Sequence, residues 1–390
     1  MSLTGTAFFY LLIAATVVAV AGTMLLWGLV RGPQWLRWLS RLLMIGFCQL
    51  TAIAVVAVWI NNANGLYTSW ADLFGQQQPD TIPVASADGK HGLTFINDRA
   101  GFRRTGFHGA ASGMSGEMLV WTPPQYDDPQ YRGYDFPVIM LIPGYPGSPW
   151  SWIGGGDMPG ALEKMMANGT LKPSIVVIPS ITPGGVNTDC TDVGKNKNGT
   201  WVGVDVPNMI KSQFRALKNP HAWGVVGYST GGYCAPKLAL EYPGTFASAV
   251  GLSPDDFRGD PGTIRDPKVR ALENPLALAQ RAKNADVQIL LATSKSDKFS
   301  TPANSESLRK AVKWPVQMPP PIVLKDGGHN WNTWMGLYPV IFPWLNDQLM
   351  SPQTAPAPTG SPSPSTPSPV VKAATTAVGL GIETTAERRG

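Results

Sequence analysis

Trp223-Gly-Val-Val-Gly-Tyr-Ser229-Thr-Gly-Gly-Tyr-Cys-Ala-Pro-Lys-Leu-Ala-Leu-Glu241 is the stretch on which the reading of the whole chain turns. It opens as an apolar strand and closes as a helix. Between them, Gly227-Tyr228-Ser229-Thr230-Gly231-Gly232 places glycines on both sides of a serine. A strand that turns abruptly into a helix strains the residue at the bend and brings neighbouring backbone too close for flanking Cβ atoms. The spacing predicts a nucleophile elbow with Ser229 at its tip. The helix N-terminus beneath it favours a developing negative charge.

Working outward, the same alternation recurs. Continuous apolar runs at Pro137–Ile142, Ser174–Ile178, Ala247–Leu252 and Val287–Ala292 read as strands buried on both faces. Helical segments are expected at Ala161–Asn168, Asp205–Leu217, Tyr233–Glu241, Ser305–Val312 and Leu337–Met350. Glu117–Trp121 reads as an early antiparallel strand and Pro321–Leu324 as a late one. Alternating strand and helix predicts an α/β fold built on a mostly parallel, doubly wound sheet, with its site at the carboxyl ends of the strands.

A serine at an elbow needs a base and an acid, which follow it in the chain order serine, acid, histidine. Of His91, His108, His221 and His329, only His329 follows Ser229. It stands in Lys325-Asp-Gly-Gly-His329-Asn-Trp, a glycine-rich loop after a strand. The other three histidines read as surface or packing residues. The acid must orient the imidazole and stabilise its charged form. Asp297, five residues past a late strand, is the first candidate, and Asp255 and Asp256 are the alternatives, whose other role is a turn or helix cap. The oxyanion donors are expected at the amide of Thr230 and in Ile142-Pro-Gly-Tyr145-Pro-Gly. Pro143 and Pro146 cannot donate, so Gly144 and Tyr145 remain, with Tyr145 preferred.

The first 60 residues tell a separate story. No charge occurs over Ala7–Val30 or over Leu42–Ile60, and each run can cross a hydrocarbon core of roughly 30 Å. Two transmembrane helices are expected, with Trp27, Trp35, Trp38 and Trp59 as interfacial anchors. A cleaved signal peptide fits less well, because the start lacks a positive region; a soluble helical hairpin would show a polar stripe. Arg31, Arg37 and Arg41 lie between the runs, while neither flank carries a basic residue before Lys90. The positive-inside asymmetry therefore puts the connector in the cytoplasm and both termini and the catalytic domain outside.

Residues 61–89 read as a linker, 90–350 as the catalytic domain and 351–390 as a disordered Pro/Ser/Thr/Ala-rich tail. The membrane runs and the neutral tail account for a charged fraction of only 15% in 390 residues. With 14 Trp and 13 Phe the chain has ample apolar surface for a core. A net charge of +5 without a basic run argues against nucleic acid. Three cysteines exclude a disulfide-built scaffold and a multi-cysteine zinc site, and no residue calls for a metal or organic cofactor. An oxidising compartment permits a bridge between Cys190 and Cys234, two buried thiols being the alternative.

Taken together these residues resemble the esterase family of α/β hydrolases, which includes S-formylglutathione hydrolases, feruloyl esterases and the mycolyltransferases of actinobacterial-type envelopes. The likeness runs over roughly Gly92–Met350 and adds to the elbow the segments Leu141-Ile-Pro-Gly-Tyr145, Ser151-Trp152, Thr200-Trp-Val-Gly-Val-Asp205-Val-Pro207 and Gly327-Gly-His329-Asn-Trp331. It implies the α/β-hydrolase fold and a serine acyl-enzyme. The mycolyltransferase branch often carries a glutamate acid where this chain offers aspartate, and the secreted transferases lack the two membrane helices.

The expected function is therefore that of a membrane-anchored extracytoplasmic serine esterase or acyltransferase acting on a small-molecule or lipid ester. Transfer to a sugar acceptor is the alternative within that chemistry, and a catalytically silent envelope scaffold is the alternative outside it. Phe257–Asp286, rich in proline and helix formers, is expected to cover the site as a lid.

Overall fold

Val138, Met140 and Ile142 pack into one hydrophobic core, while the intervening Ile139 and Leu141 pack into a second. The strand they form is buried on both faces, as its unbroken apolar run requires. The computed structural model describes residues 5–64, 70, 93–282 and 285–355. Most of the expected linker, His91 and the expected tail from residue 356 lie outside the described residues.

Nine strands form the main sheet among the described residues. They are β1 (Ile96–Asn97), β2 (Arg103–His108), β3 (Ser115–Trp121), β4 (Val138–Ile142), β5 (Ile175–Pro179), β6 (Trp223–Tyr228), β7 (Ser248–Leu252), β8 (Gln288–Ser294) and β9 (Ile322–Leu324). Their spatial order is β1-β2-β3-β5-β4-β6-β7-β8-β9. From β5 onward all neighbours are parallel, and β1, β2 and β3 join antiparallel at one edge. This is the α/β-hydrolase arrangement expected from the sequence. The short antiparallel pieces β1 and β2 were not foreseen, since Arg103-Arg-Thr-Gly-Phe-His108 has neither an apolar run nor a clean alternation.

Helices cover both faces. One face receives side chains from α4 (Val206–Gln213), α5 (Thr230–Glu241), α7 (Pro275–Arg281) and α8 (Pro302–Ala311). The other receives those of α3 (Gly160–Ala167), α9 (Trp331–Gly336) and α10 (Tyr338–Gln348). Two sequence expectations need correction. The helix predicted over Asp205–Leu217 ends at Gln213, because Phe214 turns extended and the following residues bond to Phe136, just before β4 (Phe136 N to Arg215 O, 2.8 Å; Leu217 N to Phe136 O, 2.9 Å). The lid expected over Phe257–Asp286 is also mostly something else. It contains the helices α6 (Pro267–Glu273) and α7, and Leu278 and Ala279 of α7 join the core. Burial of those apolar side chains ties α7 to the domain, and the part of the segment that lines the cavity beside Ser229 is the loop before α6, at Gly259, Asp260, Pro261 and Thr263.

The N-terminal helices α1 (Thr6–Leu26) and α2 (Gln34–Asn64) are long and apolar enough to cross a membrane. They contact one another, with Thr23 Oγ1 3.2 Å from Cys48 Sγ. Part of the expected connector is helical: α2 begins just after Pro33, so Arg37 and Arg41 ride on its first turns. The Arg41 guanidinium stacks over the Trp27 ring at 4.9 Å.

Candidate active site

Strand β6 delivers Ser229 to the carboxyl edge of the sheet, and α5 starts at the next residue. Ser229 has φ 55° and ψ −124°, a conformation that costs a non-glycine residue of order 1–3 kcal/mol. Two backbone bonds hold it there: Ser229 N donates to Leu252 O of β7 at 2.9 Å, and Tyr233 N donates to Ser229 O at 3.0 Å in the first helical turn. The flanking glycines are required by close approach. A Cβ on Gly227 would meet Gly231 O at 2.1 Å, and one on Gly231 would meet Ile142 O at 2.3 Å.

His329 comes from the loop between β9 and α9. Its Nε2 lies 2.8 Å from Ser229 Oγ, and its Nδ1 lies 3.0 Å from Asp297 Oδ2. Both contacts are satisfied when Nδ1–H donates to the carboxylate and the serine hydroxyl donates to Nε2. The remaining oxygen of Asp297 accepts the amides of Phe299 and Ser300, each at 3.0 Å. Asp297 is 3% exposed, so the carboxylate is fixed by three donors in a dry setting. Ser294, at the end of β8, ties the two loops together: its hydroxyl donates to Gly327 O and accepts the Asp297 amide at 3.1 Å.

Around the imidazole stands an aromatic wall. The His329 ring meets Trp334 edge-on at 5.2 Å and Phe299 at 5.4 Å. Behind it Tyr228 packs on Trp331 at 4.4 Å and Trp334 at 4.5 Å. Burial pushes the Tyr228 phenol up to about 12, offset in part by contacts of its hydroxyl with Ser151 and the Gly144 backbone. Thr230 and Tyr145 both line the cavity beside Ser229. The amides of Thr230 and Tyr145 donate no hydrogen bond to another described residue.

The alternatives for the acid fall elsewhere. Asp255 accepts the Thr230 hydroxyl at 3.2 Å, while Asp256 pairs with Arg258. Of the other histidines, His108 contacts Ser115 Oγ at 3.0 Å and His221 lies 3.5 Å from Asp286, both far from Ser229 in role and partner. Cys190 and Cys234 form a disulfide, which ties the loop bearing Asp189 to the start of α5. Among the described residues no group of three or more His, Cys, Asp or Glu could hold a metal ion. Sequence reasoning missed Asp189, Tyr233 and Asp260, which line the cavity beside Ser229. Only Tyr233, one helical turn past the serine, carried a signal in its spacing.

The Esterase family model matches residues 112–345, more than half of the chain. The chain belongs to the esterase family. Its fold is similar to that of a solved ferulic acid esterase, with a TM-score of 0.53 at 17% identity over 66% of this chain and 99% of the other. It is equally similar to an S-formylglutathione hydrolase from Agrobacterium tumefaciens, with a TM-score of 0.53 at 16% identity over 67% of this chain and all of the other. The chain is also 28% identical over 139 residues to an uncharacterised protein of Corynebacterium glutamicum, which is 35% of this chain and 32% of that protein. The chain thus spans about a third of the length of the curated relative it matches.

Proposed function

We propose that the protein is a membrane-anchored, extracytoplasmic serine esterase that works through an acyl-enzyme. The observation that carries this reading is the unbroken hydrogen-bonded line from Ser229 through His329 to Asp297. Ser229 Oγ attacks the ester carbonyl carbon as its proton passes to His329 Nε2. Asp297 holds the ring in the required tautomer and stabilises the imidazolium. The amides of Thr230 and Tyr145 receive the oxyanion, aided by the N-terminus of α5. The carbon–oxygen bond to the alcohol then breaks, and the alcohol leaves with the proton from His329. Water, or a hydroxyl-bearing acceptor, repeats the sequence in reverse and frees the acyl group.

Anchoring is supported by α1 and α2 and by the arginines between their apolar runs. Trp59 and Asn62, near the end of α2, border a cavity of about 200 Å³ together with Asn330, Trp331 and Asn332, which follow His329 directly. An esterase arranged in this way would meet its substrate at the bilayer surface.

A fluorophosphonate probe tests the chemistry. The full chain in detergent is expected to label, and Ser229→Ala to abolish labelling. His329→Ala should lower ester turnover by at least about three orders of magnitude with the fold intact. Well-folded protein that neither labels nor turns over esters would remove the reading in favour of a silent scaffold.

A further inference from the structure

Beside Ser229 lies a cavity of about 490 Å³ whose lining includes Asp189, Asp255, Asp256, Asp260, Tyr233 and Tyr145, and no lysine or arginine among the described lining residues. The four carboxylates are not equivalent. Asp256 is paired with the Arg258 guanidinium, and Asp260 is satisfied by the amides of Gly262 and Thr263 and by the Thr263 hydroxyl. Asp189 and Asp255 have only neutral donors: Asn187 Nδ2 at 3.0 Å and Thr230 Oγ1 at 3.2 Å. The nearby Lys237 ammonium is committed to Glu241. His329, which faces Asp255 as do Asp260 and Asp297, is bound to Asp297 and Ser229.

A second observation points to a missing ligand. Tyr233 is 1% exposed, and its hydroxyl has no hydrogen-bond partner among the described residues. That hydroxyl faces the loop at Gly259, where an added Cβ would lie 3.5 Å from it. A buried phenol without a partner is costly, and so is a buried carboxylate without a cation. Burial raises both acids; Asp255 and Asp260 add to it at Asp189, which is pushed up to about 7, and Asp260 and Asp297 add to it at Asp255.

We infer that this cavity binds a primary ammonium group carried by the ester substrate. An ammonium brings three donors, no acceptor and one positive charge. It can bond to Asp189, Asp255 and the Tyr233 oxygen at once and offset the excess negative charge. A neutral polyol would bring as many acceptors as donors and leave the charge in place. A carboxylate-bearing substrate would be repelled. Because Thr230 and Tyr145 border both this cavity and the scissile carbonyl, the ammonium lies within a few bonds of the ester. The inference rests on the serine mechanism proposed above.

The test compares matched esters on the full chain in detergent. One arm varies the acyl side, β-alanine against propionate as 4-nitrophenyl esters. The other varies the alcohol side, 2-aminoethyl against propyl butyrate. In one arm or the other, kcat/KM for the ammonium ester should exceed that of its neutral partner by at least about tenfold. The preferred arm tells which side of the ester carries the charge. Asp189→Asn and Tyr233→Phe should each pull that ratio toward one. Propylammonium should inhibit hydrolysis of the neutral ester competitively, and propanol at the same concentration should not, a measurement that needs no variant to fold. Ser229-dependent hydrolysis without an ammonium preference in either arm and without inhibition by propylammonium overturns the inference and leaves the serine mechanism standing. Absence of labelling and of all ester turnover overturns both.

Discussion

His329 Nε2 stands 2.8 Å from Ser229 Oγ although 100 residues of chain separate them. The sheet makes this possible. Parallel strands β6 and β9 both point their carboxyl ends toward the same edge, so the elbow after β6 and the loop after β9 share one surface. The carboxylate joins from the loop after β8, the strand between β7 and β9, and Ser294 fixes its spacing to the histidine loop.

The choice of acid is testable by isosteric replacement. Asp297→Asn can still accept the Phe299 and Ser300 amides but disfavours the Nδ1–H tautomer of His329. It should lower kcat by about four orders of magnitude with little change in thermal midpoint. Asp255→Asn, whose carboxylate meets Thr230 and not the imidazole, should cost a neutral ester far less. Equal losses in the two variants, by steady-state kinetics on 4-nitrophenyl butyrate, would refute the assignment of Asp297.

Backbone crowding at the elbow leads to a stability prediction. Gly227→Ala drives a methyl into the Gly231 carbonyl, and neither strand nor helix can retreat without breaking β6 or α5. The expected loss is about 3 kcal/mol or more. Gly244→Ala, where nothing lies within 4 Å of the new carbon, should stay within about 0.5 kcal/mol of the parent. Thermal unfolding of the two variants side by side checks the contrast.

Asp189 gives a pH signature. Burial, reinforced by Asp255 and Asp260, raises its carboxyl to about 7 from an ordinary 3.8. Between those values the folded state holds a proton that the unfolded state has released, so this residue makes stability fall as pH rises through the interval. Asp189→Asn cannot ionise and keeps an oxygen for Asn187. Its thermal midpoint should exceed the parent's at about pH 8, and the difference should vanish near about pH 4. A variant less stable at the higher pH would show that the charged carboxylate is needed by the fold.

The compartment is open to two simple measurements. Denatured without reductant, the chain should show one reactive thiol, Cys48, and all three after reduction, given the disulfide between Cys190 and Cys234. Protease added to intact spheroplasts should cut the chain beyond Met350. Full protection of that end would reverse the proposed orientation.

Much of this molecule was legible in one dimension. Strands buried on both faces need continuous apolar runs, a strand-to-helix bend around a nucleophile needs flanking glycines, and a membrane span needs an uncharged stretch of fixed length. These local demands announced β4 to β8, Ser229 and the helices α1 and α2, and chain order singled out His329. Residues whose role depends on distant partners could not be read in this way. The sequence put Asp297 ahead of Asp255 and Asp256 but left all three open as acidic residues after strands, and the packing of β8 beside β9 decided which carboxylate meets the imidazole. Asp189 and Asp260 carry no motif or spacing that marks them in the sequence. Tertiary packing alone brought them to one cavity with Tyr233, because burial and mutual charge belong to the folded surface and leave no periodic trace in the chain.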